Sequence, residues 1–251
     1  MNHRNVIAMV CTAAVLSYAI PSSAHHAREY LKVGSPETVH QGSGFAYVST
    51  EYAFSEVDND ESFNLEVTPG LIYGVLDHLQ VDTHFHTLDV AEEESSRGLF
   101  IESFALDGTW RFLEEPRFPV DAALNVEYEQ PTFTGRTVGG TDPRIVSRLM
   151  LRKELPFECS AALNVDWLAD VHGEDRENQW GFAAAFKHTV TDWLAIGLEG
   201  FNPSDAQGFS ILPGIYLGQP HGGWQWKAGL QIGLTRQADD LAILTTLGYQ
   251  F

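Results

Sequence analysis

The chain has 251 residues, of which 44% are hydrophobic and 12% aromatic, and its formal net charge is −19 at pH 7. Such an acidic balance argues against nucleic-acid binding, which needs a basic face. The two cysteines are Cys11 and Cys159; because the first lies in a segment that we expect to be removed, no internal disulfide is predicted.

The first 24 residues have the layout of a secretory signal peptide. A short polar, basic start at residues 2–5 precedes the apolar run Val6–Ile20, and Ser22-Ser23-Ala24 offers small residues before His25. The apolar run is too short for a convincing transmembrane helix. We therefore predict a cleaved signal peptide over residues 1–24 and a mature chain of residues 25–251, which begins with a short periplasmic tail at residues 25–43.

From residue 44 onward, apolar and polar residues alternate in about twelve segments. In the clearest one, Val120, Leu124 and Val126 alternate with Asp121 and Glu127. Alternation with a period of two predicts strands rather than helices. The predicted strands are Gly44–Phe54, Ser62–Tyr73, Leu79–His86, Phe100–Phe112, Val120–Glu129, Arg144–Arg152, Ser160–Trp167, Trp180–His188, Trp193–Phe201, Phe209–Leu217, Trp224–Arg236 and Leu241–Phe251.

The connections between these segments alternate in length. Long polar links are predicted at Val57–Glu61, Val90–Arg97, Pro131–Pro143, Asp170–Asn178, Asn202–Gly208 and Gln237–Asp240. Tighter ones lie between them, around Gly74–His78, Glu114–Phe118, Glu154–Phe157, Val190–Asp192 and Gln219–Gly222. Outer-membrane barrels have long extracellular loops, short periplasmic turns and an even number of strands. Aromatic residues also cluster near the strand ends, which is typical of girdles at the two membrane interfaces.

The last segment, Leu241–Phe251, has the sequence LAILTTLGYQF, with one apolar face and one small or polar face. An exposed aromatic edge strand invites aggregation in a soluble protein, whereas a closed barrel in lipid has no edge. The ending resembles the C-terminal signature that the barrel-assembly machinery reads in bacterial outer-membrane proteins, with Phe251 as its contact. We therefore predict an all-β protein, a transmembrane antiparallel up-and-down β-barrel of about twelve strands, in the outer membrane of a Gram-negative bacterium, in contact with lipid and lipopolysaccharide.

Several short motifs resemble a known family. Tyr73-Gly74-Val75-Leu76-Asp77-His78-Leu79, Gly140-Thr141-Asp142-Pro143 and the final hairpin ending in Gly248-Tyr249-Gln250-Phe251 are similar to segments of the transporter-like outer-membrane barrels named for the MetA pathway of phenol degradation. The Val75-Leu76 pair departs from the more polar turn that is usual in that family. The resemblance implies a channel or transporter for small solutes, with hydrophobic or aromatic ones suggested, and no established catalytic residues.

The polar faces of the strands are expected to line the lumen. The candidate lumen-lining residues are Asp82, His84, His86, Arg111, Asp121, Glu127, Arg144, Arg148, Arg152, Asp166 and Glu199. Cross-strand ion pairs are expected between the acidic fifth strand and the basic sixth. These charges could form a constriction that selects solutes, or salt bridges that close and stiffen a structural or partner-binding barrel. Barrels of eight strands are filled by side chains and those of sixteen enclose a channel, so a count of twelve leaves both readings open.

Asp82, His84 and His86 share one strand face, within reach of a common metal. Polar residues in a lumen need no metal, however, so we predict neither a metal nor a cofactor. An outer-membrane lipid-modifying enzyme is a weaker alternative, because no serine is tied to a histidine by any motif. We therefore do not predict an enzyme.

Overall fold

A computed structural model describes residues 29–57, 60–90, 99–132, 143–171, 178–202, 208–218, 223–235, 238 and 241–251. Across these ranges the chain forms twelve strands, and the prediction of an antiparallel barrel is confirmed. The strands are β1 (Gly44–Val57), β2 (Asp60–Leu76), β3 (Leu79–Val90), β4 (Leu99–Leu113), β5 (Asp121–Pro131), β6 (Arg144–Leu155), β7 (Cys159–Asp170), β8 (Asn178–Thr191), β9 (Leu194–Asn202), β10 (Ser210–Gly218), β11 (Gly223–Gly233) and β12 (Leu241–Gln250). Among the described residues, no helix is long and apolar enough to span a membrane.

The barrel closes where the first strand meets the last. Each strand pairs with its neighbours in sequence, and β1 pairs antiparallel with β12 from Phe45 opposite Gln250 to Phe54 opposite Leu241. Beyond this ladder, Gly44 and Phe251 exchange two backbone hydrogen bonds of 2.8 and 2.9 Å. Closure satisfies the backbone groups of both outer strands, as a lipid environment requires.

The barrel wall is apolar on the outside and polar on the inside. Large apolar side chains such as Leu106 and Trp224 are 51% and 62% exposed, whereas Asn164, Gln225 and Lys227 are buried. A soluble β-protein shows the reverse pattern, because its apolar faces pack into a core. Ten residues of β12 extend about 33 Å, which at a tilt of about 40° crosses about 25 Å, the height of an outer-membrane apolar band.

Exposed aromatic side chains lie near both ends of the strands. Trp110, Trp193 and Trp224 lie near the end of the barrel where the chain finishes at Phe251. The ring centroids of Trp224 and Tyr249 are 5.0 Å apart. At the opposite end, Trp167 lies directly across from Trp180. Two such belts match the aromatic girdles of membrane barrels.

The structure differs from the sequence predictions at two connections. The link at 57–61 was expected to be long, but β1 and β2 stay paired up to Val57 opposite Asp60, so only residues 58 and 59 separate them. The turn expected to be tight near Glu114 extends over residues 114–120, between Leu113 and Asp121. The links at 91–98, 133–142, 172–177, 203–207 and 219–222 lie outside the described residues, as does the predicted signal peptide at residues 1–24.

The largest difference concerns the segment before the first strand. Residues 25–43 were expected to form a periplasmic tail, but residues 29–39 lie against the inner wall of the barrel, where Tyr30, Val33 and Val39 are buried, and residues 40–42 are exposed. Backbone hydrogen bonds from Gly42 to the Gly74 carbonyl and from Gly74 to the Ser43 carbonyl join the end of this segment to β2. We call residues 29–43 the N-terminal segment.

Candidate functional site in the barrel lumen

One glutamate of the wall holds the backbone of the N-terminal segment. Glu199, on β9, is fully buried at 0% exposure. Its Oε1 accepts a hydrogen bond from Leu31 N at 2.7 Å, and its Oε2 accepts bonds from Lys32 N at 2.9 Å and Val33 N at 2.7 Å. The Tyr216 hydroxyl donates to Oε1 at 2.8 Å. A buried carboxylate needs several donors to offset its desolvation, and three of these four come from consecutive peptide groups.

A second anchor joins the segment to the basic ladder on β6. Arg152 is buried, with Nε 2.6 Å from Glu29 Oε2, Nη1 3.0 Å from Glu37 Oε1 and Nη1 3.6 Å from Asp121 Oδ2. Lys187, on β8, also pairs with Glu29. Burial raises the pKa of the Glu29 carboxyl, but the cations of Lys187 and Arg152 outweigh this effect and hold the pKa well below its ordinary value. Arg152 also pairs with Glu154, so the segment supplies two of the four carboxylates that surround this guanidinium.

Small residues in the wall make room for the segment. Gly214 and Gly229 lie directly opposite each other on β10 and β11. A Cβ atom at either position would lie 3.2 or 2.8 Å from Cδ1 of Leu31. The space that these two glycines leave is the space that the leucine side chain fills.

The segment leaves the lumen beside the turn between β2 and β3. Val39 N donates to Gln80 Oε1 at 3.0 Å, and the Thr38 hydroxyl donates to the Asp77 carbonyl at 2.6 Å. A Cβ atom at Gly74 would lie 2.2 Å from the His40 carbonyl oxygen, so only glycine permits this approach of two backbones.

The aromatic ring of Tyr30 fixes the other end of the segment. Its hydroxyl lies 3.0 Å from Ser160 Oγ, and its ring packs edge-on against Tyr216 at 6.4 Å. Burial and the neighbouring Glu29 raise the pKa of Tyr30, which keeps its hydroxyl protonated as a hydrogen-bonding group. The segment is thus bonded to the wall at several points along its length.

The structure brings several of the predicted lumen residues together on β5, β6 and β7. Asp121 lies directly opposite Arg152, as the expected cross-strand pairing requires. Arg148 forms a bidentate pair with Asp166 on β7, with distances of 2.8 and 2.9 Å. Arg144 lies 3.9 Å from Glu129 on the other neighbouring strand.

The other predicted residues of β3, β4 and β5 have further partners. Arg111 pairs with Glu114 at 2.8 Å, near the turn after β4, and Glu127 is half-buried on β5. His86 Nδ1 lies 2.6 Å from Glu66 Oε1. Asp82 and His84, by contrast, are buried together with Asp107 of the neighbouring strand.

Sequence reasoning missed the residues of the N-terminal segment itself. Glu29 and Glu37 lie outside any strand, so no alternation marks them as lumen residues. The only signal in the sequence is the presence of apolar residues Tyr30, Leu31 and Val33 in a stretch taken as a solvated tail. Apolar residues in a tail are a reason to look for a surface that buries them.

The fold resembles that of solved bacterial outer-membrane proteins. The COG4313 outer membrane channel from Pseudomonas putida F1 matches with a TM-score of 0.65 at 14% identity, over 88% of this chain and 100% of that one. The KdgM porin, solved with disordered oligogalacturonate, matches with a TM-score of 0.49 at 8% identity, over 82% of this chain and 98% of that one. The outer membrane protein Omp33 from Acinetobacter baumannii matches with a TM-score of 0.47 at 13% identity, over 84% and 99%. No family model and no curated protein matches the sequence.

Proposed function

We propose that the protein is an outer-membrane channel for small solutes and that the N-terminal segment restricts its lumen. The observation that carries this proposal is the bonding of three consecutive backbone N–H groups of the segment to the Glu199 carboxylate. These three hydrogen bonds can be exchanged for bonds to water without breaking the barrel, because none of them belongs to the ladder of bonds between strands.

Two further features support a channel. The inner wall is polar, so that water and solutes would meet hydrogen-bonding groups along it. The fold is also that of a solved outer-membrane channel, which matches over the whole of that chain. The solute class and membership of the MetA-pathway family stay predictions from the short motifs in the sequence.

A second candidate is a structural or partner-binding barrel whose lumen stays closed. The ion pairs around Arg152 favour it, because a buried arginine among four carboxylates ties β5, β6 and the N-terminal segment together. Removing one member of such a network is costly, so the segment could remain in place permanently.

Recordings from planar lipid bilayers test the proposal. The mature protein, refolded and inserted, should give brief single-channel openings, because the segment leaves the lumen only part of the time. Two matched variants each remove one negative charge. Glu199→Gln removes it in the lumen, and the control Glu158→Gln removes it on an exposed turn. Longer openings only in Glu199→Gln support the channel. Silent bilayers for the wild type and Glu199→Gln, both correctly folded, favour the closed barrel.

A further inference from the structure

Three buried side chains with metal-binding chemistry converge on the inner wall of β3 and β4. Asp82 and His84 lie two residues apart on one face of β3, and Asp107 of β4 lies directly opposite Asp82. Each offers one ligand atom, and these atoms all lie within 4.8 Å of one another. His84 Nδ1 lies 3.7 Å from Asp82 Oδ1 and 4.0 Å from Asp107 Oδ2.

The imidazole of His84 supplies an independent observation. Its side chain is only 4% exposed. Among the described residues, its Nδ1 atom has no hydrogen-bond partner. A buried nitrogen that makes no hydrogen bond is costly. Here that nitrogen is aimed at the two carboxylates, at distances too long for hydrogen bonds.

Each of the two carboxylates accepts a hydrogen bond from an uncharged side chain. The Tyr47 hydroxyl donates to Asp82, at 3.1 Å from Oδ2, and Asn125 Nδ2 donates to Asp107 Oδ1 at 2.7 Å. Second-shell hydrogen bonds of this kind fix the direction of the oxygens in metal sites.

We propose that Asp82, His84 and Asp107 bind a divalent transition metal ion, with zinc as the best fit. A metal about 2.0–2.2 Å from each ligand atom separates two ligands by about 3.4 Å at a tetrahedral angle and by about 4.2 Å when they lie opposite each other. The two separations from His84 Nδ1, 3.7 and 4.0 Å, fall within that range, and the two carboxylate oxygens lie within 4.8 Å of each other. Imidazole with carboxylates suits zinc better than magnesium or calcium, which take oxygen ligands. Three protein ligands leave a fourth position for water or a solute.

The proposed ligand set differs from the group Asp82, His84 and His86 that the sequence places on one strand face. His86 lies on the same strand face, with its ring 4.9 Å from that of His84, but its Nδ1 atom is paired with Glu66. Asp107, from the neighbouring strand, takes the third position instead. His86 is therefore a matched control: it is the next inward histidine and lies outside the proposed set.

The alternative to a bound metal ion is a proton on His84. If His84 is protonated, the imidazolium cation lies between the two carboxylates and needs no metal. Isothermal titration of the folded mature protein with zinc chloride distinguishes the two. We expect one zinc ion per chain, and X-ray absorption of the bound zinc should show a single histidine nitrogen with oxygen ligands.

Variants locate the site. His84→Asn and Asp107→Asn should each weaken zinc binding about tenfold or more, whereas His86→Gln and the double change His25→Ala with His26→Ala should leave it within about twofold. Less than stoichiometric zinc on the folded wild type overturns the proposal and favours the proton. Two or more histidine ligands in the absorption spectrum overturn it as well, without the need for any variant to fold. Neither outcome depends on whether the barrel conducts.

Discussion

Replacing Glu199 with glutamine tests how the N-terminal segment is held. The carboxylate accepts four hydrogen bonds, two on each oxygen. Glutamine keeps one oxygen and turns an –NH2 group toward two of the donors. The Tyr216 hydroxyl can reverse and accept from that group, but at least one backbone N–H loses its acceptor. Hydrogen bonds to a charged group contribute about 1.5–3 kcal/mol each and neutral ones about 1 kcal/mol, so the lost bond and the weakening of the other three cost about 3–6 kcal/mol in total. A neutral amide costs less to bury than a carboxylate, which offsets part of this loss. We expect the docking of the N-terminal segment to the wall to weaken by about 2 kcal/mol in total.

A loss of about 2 kcal/mol in the free energy of docking raises the population of the undocked segment about 30-fold. The assay is the open fraction of single channels in planar bilayers, with Glu158→Gln as the control and a heat-dependent shift in gel mobility as the check that the barrel is folded. Folded Glu199→Gln with the same open fraction as the control would show that this carboxylate does not hold the segment in the lumen.

Three further predictions concern other contacts of the segment. Gly74→Ala should push the segment away from β2 and raise the open fraction. The control Gly108→Ala should not, because its new Cβ would meet nothing nearer than 3.9 Å. Equal conductance of both variants would count against the close approach of the two backbones. Arg152→Ala should lower the free energy of unfolding by about 3–5 kcal/mol in denaturant titrations. Arg144→Ala should lower it by much less, since among the described residues the ion pair of Arg144 is a 3.9 Å contact. Similar midpoints for the two variants would argue against the buried network. Because the pKa of Glu29 is lowered in the folded protein, its contribution to docking should be complete at neutral pH and decrease as the pH falls below its ordinary value of 4.5. The open fraction should then rise as the pH falls from about 5 to about 3, and Glu29→Gln should flatten that rise.

The strands could be predicted from the sequence because each residue faces either lipid or lumen. In β5, Leu124 and Val126 point outward and Asp121 and Asn125 inward, as their chemistry indicates. The closing pair of strands also followed from the sequence, since an aromatic terminal strand such as Leu241–Phe251 must have a partner on each side. Local chemistry decides these features, so local patterns reveal them.

The contents of the lumen could not be predicted in the same way. The contact between Glu29 and Arg152 joins residues 123 positions apart, and one of them belongs to no periodic element. Arg148 pairs with Asp166 of β7, a choice that the alternation within β6 does not specify. Such choices depend on the shape of the closed barrel, which no single strand encodes.

The location of the N-terminal segment is tested most directly by chemical labelling inside the folded barrel. Val33→Cys, in a Cys159→Ser background, places one thiol at a buried position of the segment, and Glu158→Cys in the same background places one on an exposed turn. We expect a membrane-impermeant maleimide to react with the Val33→Cys thiol at least about tenfold more slowly than with the Glu158→Cys thiol. The difference should disappear in denaturant. Equal rates for the two thiols in the folded protein would place the segment outside the lumen and contradict the proposed restriction of the channel.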